Sequence, residues 1–380
     1  MLRVRPFLFS GSVSSRHGTF SQDNLSHLRN NAYICGVQLK PFHDIDMLEL
    51  SKEKSTIIKG IAISLMLFLH LFDYHNADGC INFFHIGEMP LASWLARACN
   101  PVAIFLLLSG YGLACKHEKK ELSPLHQAER SLFLYLHYWI ILAVTLAIGH
   151  VMSPSLYPGS WSTFIENLTG WHTTYNKEMW FLFPYVLVSI VSLYTFRAVD
   201  KVGLKWAVGI TAVLYIAISV FINRNSAMLY DNLPLFHLLL FVQFLYPFTM
   251  GAALRRTSIN LNRPLPQWAV MAEIIVLVLI LCVSNIHLCY MFCAPLMVIL
   301  FCHLHYPQWL KKVLSELGRK SMPMWMIHTW LAYYLFHDQV YALRYPVLIF
   351  LGLLLASYLL SIPVMWAAKR IHQLATSLRN

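Results

Sequence analysis

From about residue 55 onward the chain is a succession of apolar runs, each close to twenty residues long and separated by short polar stretches. A helix of that length crosses a hydrocarbon core of about 30 Å. The pattern predicts membrane helices over approximately 56–74, 92–115, 131–152, 179–197, 205–222, 234–254, 267–286, 288–304, 321–337 and 346–368. Only a tight turn around Asn285 and His287 parts the seventh span from the eighth. The fold class expected is therefore all-α, a polytopic membrane bundle of about ten helices. Residues 1–50 show no period. Arg3 and Arg5 precede a short apolar patch at 6–9 that is too brief for a signal-peptide core. This segment is expected to be disordered, or an over-extended gene start with the natural initiator at Met47, followed by an amphipathic lead-in over 44–55. The membrane domain is expected over 51–370, with a tail over 371–380.

Composition supports the membrane assignment. Apolar residues make up 57% of the chain and charged residues 12%, about half the charge of a soluble domain. The net charge of +11 does not indicate a nucleic-acid partner, because no basic run interleaved with aromatics occurs. The cations sit instead in alternate loops. One set carries Lys116, Lys119, Lys120, Arg130, Arg197, Lys201, Lys205, Arg255, Arg256, Arg263, Lys311, Lys312, Arg319, Lys320, Lys369, Arg370 and Arg379. The other has Lys177, Arg224 and Arg344, with Arg97 at a helix end. The positive-inside rule then places both termini in the cytoplasm. The eight cysteines show no CxxC pair and no zinc spacing; Cys289 and Cys293, one turn apart, read as core sulfur, and no metal site is expected.

Candidate chemistry begins in the first span. Lys59 and His70 are eleven positions apart, which brings them within roughly 20° of one helix face and separates them by about 16 Å along the axis. Ile63, Met66 and Leu67 share that stripe. Orientation puts Lys59 at the cytoplasmic edge and His70 in the outer half, as an ionisable group inside the bilayer and thus a functional candidate. A core histidine bonded to a neighbouring helix is the structural alternative. Asp73, near His70, is either a partner for the ring or an ordinary helix-end carboxylate. The second span ends in Ser109-Gly110-Tyr111-Gly112, whose glycines permit close approach of a ligand or of another helix. On the outer side, Asn176 to Phe181 places Glu178 and Trp180 at the interface, as anchors or as a sugar-binding rim. His328 and Glu273 are further intramembrane polar groups, expected in the cytoplasmic half and turned inward.

Taken together these segments resemble the acyltransferase 3 family of bacterial membrane acyltransferases. The resemblance lies in the basic residue, ten intervening residues and histidine of Lys59 to His70, and in the Phe-rich run ending Ser-Gly-Tyr over 105–111. It continues in Trp180-Phe181-Leu182 and in Gly318, Ser321, Trp325 and His328. It covers about residues 50–370 and departs at Lys59, where the family often has arginine; lysine keeps the charge but loses bidentate phosphate geometry. The extra hydrolase-like domain found in some relatives is not expected here.

The resemblance implies transfer of an acyl group, usually acetyl, from cytoplasmic acyl-CoA to a hydroxyl of a cell-surface polysaccharide or its lipid-linked precursor, across the bacterial plasma membrane. Acetyl-CoA or another acyl-CoA is then the co-substrate, with no permanently bound cofactor. The expected partners are acyl-CoA, a carbohydrate acceptor and the lipid bilayer, with a homodimer as a possible assembly. His70 is expected as general base, or as an acyl-histidine, and Lys59 as its catalytic companion. Lys59, Ser109, Tyr111 and Arg130 are the acyl-CoA candidates, the pantetheine arm passing between the first and second spans. Glu178 and Trp180 are the acceptor-side candidates. A polysaccharide exporter or flippase, or a glycan polymerase, is the rival reading; no repeat between halves and no long outer loop supports either.

Overall fold

The structure, a computed structural model, describes residues 50–72, 80–257, 265–284 and 287–377. The N-terminal segment to residue 49, Asp73, Arg263, Asn285 and Arg379 lie outside the described residues. Almost everything described is helical. In chain order the elements are α1 (Lys52–Phe72), a hairpin of β1 (His85–Ile86) and β2 (Met89–Pro90), α2 (Leu91–Ala96), α3 (Pro101–Glu118), α4 (Pro124–Met152) and α5 (Trp161–Thr169). A 3₁₀ turn (Lys177–Phe181) leads into α6 (Leu182–Val202), followed by α7 (Leu204–Arg224), α8 (Ser226–Tyr230), α9 (Leu233–Arg255), α10 (Gln267–Ser284) and α11 (His287–His303). The chain closes with α12 (Gln308–Thr329), a π-helical turn (Trp330–Leu335), α13 (His337–Tyr341) and α14 (Pro346–Ser377).

Local chemistry starts several of these helices. Ser51 caps α1 by accepting from the Lys54 amide at 3.1 Å. Asn100 caps α3 through the Ala103 amide, with Pro101 in the first turn, and Asn232 caps α9 through the Leu235 amide. Gly170, at φ +70°, ends α5 in the left-handed conformation that glycine adopts without steric cost.

Eight helical segments among the described residues are long and apolar enough to cross a membrane. Each of the ten predicted spans has a helix, but three differ from expectation. The eighth, α11, has 17 residues and falls short of a full span. The ninth begins at Gln308 rather than near 321, because the charged stretch Lys311 to Lys320 is helical and continuous with the apolar one. The last helix also outruns its predicted end near 368 and continues to Ser377, so part of the expected tail is helical. At 32 residues it is about 48 Å long, more than a bilayer core needs.

Two glycine crossings fix the centre. A Cβ at Gly60 would lie 2.0 Å from the Leu314 carbonyl oxygen, and one at Gly318 would lie 1.9 Å from that of Thr56. Helices α1 and α12 therefore touch backbone to backbone. Gly110 meets the Phe248 carbonyl oxygen at 2.1 Å in the same sense, and Gly251 meets that of Leu107 at 2.2 Å, joining α3 to α9. Of the two readings left open for the Ser-Gly-Tyr-Gly motif, Gly110 serves helix packing, while nothing approaches Gly112 within 4 Å. Half of α1 and more than half of the α2–α3 span are buried, whereas α7 is almost wholly on the outside.

The ends of α3, α6 and α9 that carry the basic residues are tied by an ion-pair chain. Arg255 binds Glu118 at 2.9 Å, Arg256 binds Asp200 at 2.8 Å, and His117 meets Asp200 at 2.7 Å. This is referred to below as the basic end.

Replacing Gly60 by alanine is expected to destabilise the protein by about 1–3 kcal/mol or more, because backbone rather than a flexible side chain must move. Gly112→Ala is expected to stay within about 1 kcal/mol of the parent. Thermal unfolding of the two detergent-purified variants checks the contrast.

Candidate active site

Because α1 and α12 touch at Gly60 and Gly318, and because both chains then rise ten residues, about 15 Å, in the same direction, His70 and His328 arrive at one level. Their ring centroids are 5.1 Å apart. The expectation that His328 lies in the opposite half from His70 is thus corrected: the helical start at Gln308 adds more than three turns below it. His328 is fully buried. Its Nδ1 donates to the Trp325 carbonyl at 2.7 Å, since a carbonyl only accepts. Nε2 therefore carries the lone pair, and it is buried with no hydrogen-bond partner.

Aromatic residues just past α12 hold the end of α1 in place. Tyr333 donates to the His70 carbonyl oxygen, and Tyr341 donates to that of Leu71 at 2.8 Å, satisfying backbone acceptors in the last described turn. The Tyr333 ring also stands 5.9 Å from that of His70. The π-helical turn that carries Tyr333 and Tyr334 starts two residues after His328, and such turns recur where backbone is shaped for a site.

The predicted outer rim is bonded to the same region. Asn176 and Thr329, both buried, bond reciprocally: Asn176 Nδ2 donates to Thr329 Oγ1 at 2.9 Å, and Thr329 Oγ1 donates to Asn176 Oδ1 at 3.1 Å. Tyr334 donates to Glu178 Oε2 at 2.7 Å and accepts from the Lys177 amide at 3.0 Å. Trp180 is half-buried and packs on Phe181 and Phe244, with centroids 6.0 Å away in both cases. In the adjoining loop, burial raises the Tyr157 and Tyr175 phenols above the usual tyrosine range, which keeps them protonated.

Below the histidines lies a cavity of about 160 Å³. Lys59, Ser109, Ser321 and Tyr185 give it polar walls, and Met66, Val102, Phe105, Phe181 and Trp325 give it apolar ones. Ser109 and Tyr185 share a hydroxyl hydrogen bond of 3.1 Å. A larger groove of about 870 Å³ lies towards the basic end, and Leu134, Tyr185 and Met322 line both. Its outer walls are His126, Glu129 and Arg130 of α4 and Ile371, His372 and Thr376 of α14. Arg130 Nη1 donates to Gln127 Oε1 at 3.1 Å, and the guanidinium lies within electrostatic reach of both Lys59 and Lys116.

The structure thus gathers Lys59, Ser109 and Arg130 along one passage and places His70 with His328 above it. Tyr111 is not among the residues that line it; its hydroxyl accepts from the Leu50 amide at 2.8 Å. The passage runs between α4 and α14 and then against α12, not simply between the first two spans. Glu273 is exposed on α10, contrary to the expectation that it turns inward, because α10 buries only a narrow stripe of Val270, Leu277, Leu281 and Cys282. Sequence reading missed the walls supplied by Phe181, Tyr185 and the α14 extension. The helical continuation of the 371–377 segment was the one signal for the last of these.

The fold and site define a polytopic helical membrane protein in which a half-buried histidine, His70, stands beside a fully buried one, His328. The chain belongs to the acyltransferase 3 family: the family's model, described as an acyltransferase domain, matches residues 54–366. The protein is accordingly a membrane acyltransferase. Neither the curated proteins nor the solved structures contain a significant match.

Asn176→Ala leaves the buried Thr329 hydroxyl without its partner and is expected to lower stability by about 1–3 kcal/mol. The midpoint of heat-induced unfolding measures this, and adding Thr329→Val is expected to recover part of the loss.

Proposed function

We propose that the protein transfers a short acyl group, acetyl in the first instance, from cytoplasmic acyl-CoA to a hydroxyl of a cell-surface polysaccharide or its lipid-linked precursor. On this reading it is a multi-pass protein of the bacterial plasma membrane, and the basic end faces the cytoplasm, as the asymmetry of lysine and arginine among the loops supports. The observation that carries the reading is the stepped passage. A groove towards the basic end shares walls with a cavity that holds Lys59, and Met66 and Trp325, which also line that cavity, precede His70 and His328 by about one turn on α1 and α12.

The chemistry follows from the physics of the donor. The nucleotide head of acyl-CoA is a polyanion that lipid excludes, so it stays in the wide groove beside Arg130 and His126. The slender pantetheine arm advances past Leu134 and Tyr185. Lys59 finds no carboxylate partner among the described residues and supplies a cation at the neck of the passage. His70 takes the proton of the acceptor hydroxyl as its oxygen attacks the thioester carbonyl. A carbon–oxygen bond forms, the carbon–sulfur bond breaks, and the proton passes to the departing CoA sulfur. His328, whose ring centroid lies 5.1 Å from that of His70 and whose Nε2 makes no hydrogen bond, shares that proton on this reading. Glu178 and Trp180 belong to the acceptor's side, where a carboxylate receives sugar hydroxyls and an indole offers a ring face.

His70→Ala is expected to abolish base-labile esters on surface glycans while the protein still accumulates at its normal level; esters that persist in such cells remove His70 from the reaction. Lys59→Ala is expected to cost about 10–100-fold in kcat/KM for acyl-CoA, the equivalent of one lost charge-assisted contact, and Lys59→Arg is expected to retain most activity. Acetyl release from glycans of a deletion strain complemented with each variant gives the comparison.

A further inference from the structure

The inner cavity is graded from polar to apolar along its length. Lys59 and the Ser109–Tyr185 hydroxyl pair lie at its lower part, and Met66, Phe105, Phe181 and Trp325 line its upper part. Its volume of about 160 Å³ is under a fifth of the groove's 870 Å³, so the end of the donor has far less room than the head. Each methylene added to the acyl chain brings it against more of the wall formed by Met66, Phe105, Phe181 and Trp325. Those walls do not yield easily. Met66 and Trp325 are buried, and both stand on the α1–α12 pair, whose backbones are already in contact.

We infer that this apolar upper part is the acyl pocket, that it restricts the donor to short-chain acyl thioesters, and that Phe105 and Met66 set the length limit. The inference rests on the acyl-CoA reading given above. Phe105 projects from α3, a helix locked to α9 by the Gly110 and Gly251 crossing, so its ring is carried by rigid backbone. Val102 lies one turn away on the same face and also lines the cavity, which allows the limit to be moved in either direction.

The test is binding of free CoA, acetyl-CoA, butyryl-CoA and hexanoyl-CoA to the full chain in lipid nanodiscs, read by calorimetry. Acetyl-CoA is expected to bind at least about tenfold more tightly than hexanoyl-CoA, since each methylene gained or lost in such a pocket is worth about tenfold or more. Phe105→Ala and Met66→Ala are each expected to shrink that ratio by about tenfold or more, and Val102→Phe to widen it and extend the penalty to butyryl-CoA. If Phe105→Ala does not elute as a single species, Phe105→Leu and Met66→Ala carry the comparison. Equal binding of acetyl- and hexanoyl-CoA by the parent, or an unchanged ratio in folded variants, overturns the inference and leaves the donor reading standing. Failure of free CoA and of every thioester to bind removes the donor reading itself.

Discussion

Everything near the site depends on the backbone contact between α1 and α12. Glycines at 60 and 318 let two helices from opposite ends of the chain approach until carbonyl oxygens occupy the space of a side chain. Inside a membrane such an approach gains dispersion contacts along the whole interface, where a hydrophobic drive between helices is weak. Because the helices run the same way, register at the glycines becomes register one and a half lengths of a ten-ångström step higher, where two imidazoles face one another. The family motif of glycine, serine, tryptophan and histidine is therefore a single geometric device: the first member sets the distance, the middle members line the cavity, and the last stands beside His70.

The second crossing, between α3 and α9, gives the cavity its far wall. It fixes Ser109, Phe105 and Val102 as a rigid face opposite α1. The outer loop closes the system from above through the reciprocal Asn176–Thr329 bonds and the Tyr334–Glu178 bond. The level of the two histidines is thus held by backbone contact below and by buried polar bonds above, and the cavity beneath it grades from polar to apolar walls.

Much of this was legible in the chain. Helical period alone put Lys59, Met66 and His70 on one stripe; in the structure Lys59 and Met66 line the cavity and His70 stands beside His328. Hydropathy found a helix for every predicted span. What it misplaced has a common cause. Charge along 311–320 reads as loop because a membrane window penalises it, yet those residues are good helix formers and continue the helix below the bilayer. Depth was then mistaken for His328. Glu273 was judged by its sequence neighbours, whereas its exposure is decided by which face of α10 meets the bundle. Pairings such as Asn176 with Thr329 join residues far apart in sequence and carry no periodic signal.

The histidine pair also has an order of assembly written into it. His70 leaves the ribosome in the first helix and His328 in one of the last, with roughly 260 residues of synthesis between them. At the usual pace of translation that interval is on the order of ten seconds to a minute. Throughout it the first helix waits in the membrane with a lysine and an imidazole on one face and without the glycine partner that covers them. A nascent chain of this kind has an extended period in which α1 depends on the insertion machinery for company, and the histidine pair forms only once α12 has been made.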